Sequence, residues 1–304
     1  MCLRTLEVFS KSIRVFQYTP GVEEINMTGK PVAVVVGATS KWQSDGRNTK
    51  LAHGQEIDDQ DLPVGTRWGV GGAIAQKFAG EGFHVVLTTR KAANAEALES
   101  AILEQGHDAS TVELDLVSEE SIQTACQAIR ENWRDPDVLV LNAGYLEGRD
   151  LPPEMELLEY IPTEIFETAQ HISSRGPFLL AKEILPGMRE RGSGSLLITN
   201  NSASLRGRKR KTGQSLYYPR VMMRTLAQVL TEEYSIHGVH VANVIVDGLI
   251  DSPGTRALPV AQKHPEFIMN PMAIADAFYY LHSQDQSCWT HELQLTPYST
   301  NPSF

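Results

Sequence analysis

Two glycine clusters carry the first chemistry legible in this chain. Gly37-Ala38-Thr39-Ser40 closes the apolar run "PVAVVVG" (31–37), and Gly69-Val70-Gly71-Gly72 opens the helical pattern "GGAIAQKFAGEG" (71–82). Glycines at such a junction let backbone approach an anion closely. A helix N-terminus following them offers unpaired amides and the positive end of its dipole. Together they suit a pyrophosphate. A polar segment, residues 41–68, lies between the halves, with Trp42 and Trp68 at its ends. Because both halves keep their glycines, it reads as an insertion in an intact phosphate loop, predicted to cap the phosphates through Arg47 or Lys50.

Downstream residues extend the same site. The next strand ends Thr88-Thr89-Arg90-Lys91. An acid near this point would hold the ribose hydroxyls of NAD, whereas threonine followed by two cations suits a 2′-phosphate. NADP(H) is therefore favoured over NAD(H). Asp115 in "ELDL", followed by Leu116, would accept from the adenine amino group. Asn142-Ala143-Gly144 makes a small, tight turn closing the fourth strand beside the cofactor.

These residues need a scaffold, and the apolar pattern supplies one. Short apolar runs at 31–37, 84–89, 110–115, 137–144, 194–200 and 239–247 alternate with helical patterns at 71–82, 95–106, 118–133, 163–191 and 221–238. That alternation predicts a single doubly wound α/β domain with a parallel sheet, a Rossmann fold over residues 29–304. Ser118 before Glu119 and Glu120 marks a helix start.

Composition excludes other classes. A formal net charge of −10 argues against nucleic-acid binding, and no run of the 304 residues is long and apolar enough for a bilayer. Cys2, Cys126 and Cys288 match no zinc or CxxC spacing, and no histidine pair has metal-ligand spacing, so neither metal nor disulfide is expected. A reduced, cytoplasmic protein is the plain reading. Residues 1–28 read as a poorly ordered extension, with organelle targeting by 1–26 the weaker alternative.

With the glycine loop, "ELDL", "LNAG" (141–144) and "LAQVLTEEYSIHGVHVANVIVDGLID" (226–251) in view, the chain resembles the short-chain dehydrogenase/reductase family over residues 30–255. The tail at 273–297 is similar to one branch of it. The resemblance implies that Asp247-Gly248 replaces the usual Pro-Gly turn, that Ile250 lies against the nicotinamide, and that a region at about 250–270 covers the substrate. It also implies a homodimer or homotetramer acting on a small molecule. Family members pair Tyr-x-x-x-Lys with a Ser and an Asn. Tyrosine delivers the proton, lysine lowers its pKa, serine orients the carbonyl and asparagine anchors a water. Here the lysine position falls on Arg220, the tyrosine position on Leu216, the asparagine position on Ser173, and the serine position on Asn201 or Ser202. Tyr217 stands one residue from its expected place, three before Arg220, with Tyr218 beside it. A guanidinium still stabilises a tyrosinate, though it does not relay a proton.

Three readings follow. The leading one is an NADP-dependent oxidoreductase acting on a carbonyl or alcohol, with Tyr217, Arg220 and Ser202 in an altered site. The second is a repurposed fold that binds NADP and runs an elimination, isomerisation or cyclisation. The third is an inactive dinucleotide-binding regulator.

Overall fold

A computed structural model describes residues 29–39, 64–144, 159–205 and 218–303. Residues 31–304 form one compact unit; of the unit before it, only Gly29 and Lys30 are described. Among the described residues, seven strands form one parallel sheet. They are β1 (Val32–Val36), β2 (His84–Thr89), β3 (Asp108–Glu113), β4 (Val138–Leu141), β5 (Gly194–Asn201), β6 (Val239–Val246) and, after two short strands named below, β9 (Glu292–Leu295). Their order is β3-β2-β1-β4-β5-β6-β9, so the chain reverses direction across the sheet between β1 and β4. That reversal opens the crevice in which doubly wound sheets bind ligands.

The strands are near-continuous apolar runs because both faces of the sheet are covered. Ala33 and Val35 of β1 point into a core shared with α1 (Val64–Gly80), α2 (Glu96–Glu104) and the late α9 (Pro271–His282). Val32, Val34 and Val36 point the other way. They meet α3 (Glu119–Asn132), α5 (Gly176–Arg191), which follows α4 (Thr163–Gln170), and α6 (Tyr218–Tyr234). Ser118 caps α3 by accepting from the Ser121 amide, as its spacing predicts. Pro219 falls in the first turn of α6, the one helical place where its missing N–H costs nothing.

Four boundaries differ from expectation. β3 runs from Asp108 to Glu113, two residues earlier than 110–115, so Asp115 lies beyond the strand in the turn before α3. The helix expected at 71–82 begins at Val64 and is interrupted at Gly69, whose φ of 70° and ψ of −172° break the helical path. Trp68 is 4% exposed and belongs to the core, so residues 64–68, expected to end a polar insertion, are part of the fold. β9 is an added edge strand, pairing Asn243 with Glu292 and Val246 with Leu295. Of the segment expected to cap the phosphates, residues 41–63, with Arg47 and Lys50, lie outside the described residues. Between β6 and α9 come β7 (Leu249–Ile250), α7 (Pro253–Arg256), α8 (Pro259–Lys263) and β8 (Ile268–Met269), with β7 pairing β8 in a second small sheet.

Two histidines packed among aromatic rings, His240 of β6 and His282 of α9, predict acid sensitivity. The His240 ring stacks on Trp289 at 4.8 Å, and its nitrogens meet the Leu281 and Thr290 carbonyls at 3.0 and 2.9 Å. His282 meets the Ser195 hydroxyl and packs among Phe78, Phe83 and Tyr279. Burial pushes both imidazoles below the ordinary histidine value. The unfolded chain therefore binds protons that the folded one refuses. Stability is complete above pH ~6.5 and falls below it, by up to about 1.4 kcal/mol per pH unit for each group. Thermal unfolding between about pH 7 and pH 5 should show the fall, and His282→Gln should make it shallower. A melting temperature indifferent to pH in that window would count against it.

Candidate active site and cofactor crevice

The carboxyl ends of β1, β2 and β4 are tied together by the residues expected to hold phosphates. Gly37 turns the chain with φ 79°, where L side chains are strained. The Asn142 side-chain amide donates to the Gly37 carbonyl at 2.9 Å, and the Asn142 backbone N–H to Val36 at 3.0 Å. Thr39 and Thr89 hydroxyls meet at 3.4 Å, joining the glycine turn to the end of β2. The break at Gly69 lets a fresh helix start at Val70 and Gly71, pointing its amide end toward this turn. A Cβ on Gly37 would stand 2.6 Å from Ala143 Cα, so this floor is built backbone on backbone. These residues fit a dinucleotide. Ser40 lies outside the described residues.

At the far end of the crevice, Thr89 is buried while Arg90 and Lys91 are exposed. Glu113, the acid nearest in register, is held by the Ala92 N–H at 2.8 Å. Asp115 Oδ1 accepts from Val117 N–H at 3.0 Å, which fixes the carboxylate just past β3. Leu116 is buried against Gly176, where any Cβ would meet it at 2.9 Å.

The proposed catalytic end converges on Arg220. Its Nη1 donates to the Thr199 carbonyl of β5 at 3.0 Å, and Met223 Sδ lies 3.6 Å away. Its Nη2 lies beside Gly144, in the space that a Cβ there would take. The Asn200 amide holds the Arg220 carbonyl at 3.1 Å and Asn243 Oδ1 at 3.2 Å. Ser202 begins a short 3-10 turn directly after β5, capped by Asn201, which accepts from the Ala203 N–H at 3.0 Å. The structure thus brings Arg220, Thr199 at the end of β5 and Gly144 together, with the Ser202 turn following β5 in the chain. Tyr217 lies outside the described residues; Tyr218 is the first residue of α6. Ser173 is buried within a π-helical turn, His171–Arg175, a local widening of the kind often found at functional sites.

The turn after β6 holds a feature that its sequence did not announce. Asp247 is buried, and its carboxylate accepts from the Ser303 N–H at 2.6 Å, the Ser303 hydroxyl at 3.1 Å and Gln294 Nε2 at 3.0 Å. The side chain serves the C-terminal segment, and the backbone N–H donates to the Leu295 carbonyl of β9 at 2.8 Å. A Cβ on Gly248 would stand 2.7 Å from Met269 Sδ, and Ile250 is half-buried against the core. Sequence reasoning also missed Asp251 and Thr66. They are bonded at 2.8 Å across 185 residues, and no local pattern pairs positions so far apart.

A doubly wound sheet with a glycine-turn crevice at its switch point defines a dinucleotide-binding protein of the Rossmann class. This chain belongs to the short-chain dehydrogenase/reductase family and is an NAD(P)-dependent oxidoreductase. Residues 64–292 match the family described as enoyl-(acyl carrier protein) reductase. The chain is 30% identical over 219 residues to levodione reductase of Leifsonia aquatica, covering 71% of this chain and 77% of that one. It is 30% identical over 142 residues to the NADP-dependent 3-hydroxy acid dehydrogenase of Salmonella typhi, covering 47% of this chain and 54% of that one. A metagenomic short-chain oxidoreductase solved in complex with NADP shares the fold with a TM-score of 0.65 and 21% identity, over 88% of this chain and 98% of that one.

Proposed function

We propose that the chain is an NADP(H)-dependent reductase or dehydrogenase of a small carbonyl or alcohol substrate, working with an altered catalytic set. The observation that carries this is the placement of Arg220, whose guanidinium bonds the end of β5 and lies beside Gly144 of the Asn142–Gly144 turn. Bound NADP(H) supplies or accepts the hydride. Tyr217, assisted by the fixed positive charge of Arg220, gives the proton to the forming alkoxide, and Ser202 orients the carbonyl. Asp115 and Leu116 flank the adenine, and Ile250 backs the nicotinamide. The inserted segment ahead of Val64 caps the phosphates.

The preference for NADP over NAD rests on Thr89, Arg90 and Lys91, and agrees with the NADP dependence in the name of the Salmonella relative. Replacing Arg90 and Lys91 together by alanine should weaken NADPH binding about tenfold, the scale of a lost charge-assisted contact, and leave NADH binding within about twofold. Fluorescence titration of both cofactors reads the difference; equal losses for the two would remove the assignment. NADPH oxidation across a panel of carbonyl compounds tests the reaction itself. Tight binding with no turnover across the panel, and no effect of Tyr217→Phe, would favour a repurposed or regulatory fold. Phe178, Met222 and Val229 are each more than half exposed on α5 and α6, which suits a homodimer or homotetramer joined through these helices.

A further inference from the structure

Asp251 joins parts of the chain that the topology would otherwise hold apart. Thr66 lies on the segment that enters the phosphate turn beyond β1, three residues before Gly69. Asp251 follows β7, which leaves the end of β6. In the sheet, β1 and β6 are three ladder steps apart, through β4 and β5, which is roughly 14 Å at the usual strand spacing. Their continuations nevertheless meet. The buried Thr66 hydroxyl donates to Asp251 Oδ2 at 2.8 Å. The Arg256 guanidinium grips the same carboxylate with both ends, Nε to Oδ1 at 2.7 Å and Nη2 to Oδ2 at 2.8 Å. The Asp251 N–H donates to the Met269 carbonyl at 2.9 Å, which fixes the carboxylate to the β7–β8 pair.

Thr66 thus stands just before the Gly69 break that opens the phosphate turn, and Asp251 just after Ile250, so the contact ties the segments entering and leaving the ligand crevice of a doubly wound sheet. We propose that Asp251 is a positioning residue that latches the two walls of the cofactor crevice together, with Thr66 as its catch and Arg256 as its brace. It slows escape of the bound dinucleotide and holds Ile250, its neighbour in the chain, at the inner wall. The inference rests on the cofactor reading above. It goes beyond it by giving a role to residues that no phosphate or substrate contact requires. A carboxylate would be repelled by phosphates if it faced them; here its charge is neutralised by Arg256, which lets it stand beside an anion.

The latch predicts a change in release rather than in capture. NADPH bound to the full-length protein is displaced by excess NADP+, and its fluorescence decay gives the dissociation rate. Thr66→Val keeps the shape and removes the donor. Dissociation should accelerate about five- to tenfold, the net scale of one intramolecular hydrogen bond, with association unchanged and the melting temperature within a few degrees. Thr66→Ser restores the hydroxyl and should restore slow release, a rescue that a purely structural role would not give. Thr66→Val added to Asp251→Ala should cost no more than Asp251→Ala alone, because alanine already leaves the Thr66 hydroxyl without this acceptor. An unchanged dissociation rate in Thr66→Val overturns the latch and leaves the cofactor reading standing. Absence of NADPH binding by the unaltered chain overturns both.

Discussion

Arg220→Met should lower kcat/KM for carbonyl reduction about a hundredfold or more, the scale of removing one preorganised charge from a reacting oxygen. Methionine preserves most of the stem packing while deleting the guanidinium. Nη1 donates to the Thr199 carbonyl at 3.0 Å and Nη2 lies beside Gly144, so the head group is anchored to the end of β5 before any substrate arrives. Its own backbone is held by Asn200, which bonds Asn243 in turn, and this keeps the start of α6 in register with β5 and β6. Arg220→Lys keeps the charge but replaces a two-ended fork by a single ammonium. It should fall between, with a loss of about tenfold. Steady-state kinetics beside NADPH titration separates the roles. A fall mainly in turnover marks transition-state charge stabilisation, and a fall only in cofactor affinity marks a ribose or phosphate contact. Turnover within twofold of the unaltered protein in a folded Arg220→Met would remove Arg220 from the chemistry.

That arrangement explains what the sequence could and could not disclose. The buried strands were legible because Val32–Val36, Val138–Leu141 and Val239–Val246 are apolar on both faces, a pattern only a covered parallel sheet requires. The phosphate turn was legible because Gly37 and Gly69 occupy backbone conformations that favour glycine. β9 was not. Its alternation, Glu-Leu-Gln-Leu, is that of an edge strand whose polar residues have distant partners. Glu292 pairs with Arg224 through two contacts of 2.7 Å, and Gln294 reaches Asp247. Nor was the packing of residues 64–68. Thr66 looks like surface, and only the tertiary contacts of its neighbour Trp68 with the core and its own with Asp251 make it interior. Side-chain links between distant segments leave no period to read, and the site depends on several.

The floor of the crevice should tolerate substitution least. Gly71→Ala adds one methyl group, which would overlap the Gly37 carbonyl oxygen and stand 2.7 Å from Asn142 Nδ2 and 3.0 Å from Ala38 Cα. It would intrude on the hydrogen bond by which Asn142 ties β4 to the glycine turn. Two of these neighbours are backbone, and Gly37 itself cannot retreat because Ala143 stands behind it. Relief requires α1 to lift from the end of β1. Overpacking of this kind costs about 1–3 kcal/mol, and the lifted helix carries its amide end away from the phosphates. Gly71→Ala should therefore weaken NADPH binding at least about tenfold while lowering the melting temperature by several degrees. Gly80→Ala, at the far end of the same helix, is the matched control: its Cβ would meet nothing nearer than His107 Nε2 at 4.0 Å. It should bind NADPH normally and melt no lower than the unaltered protein, since alanine is the better helix residue. Normal NADPH binding by Gly71→Ala would mean that the helix start does not form the phosphate site, and the cofactor crevice would have to be placed elsewhere.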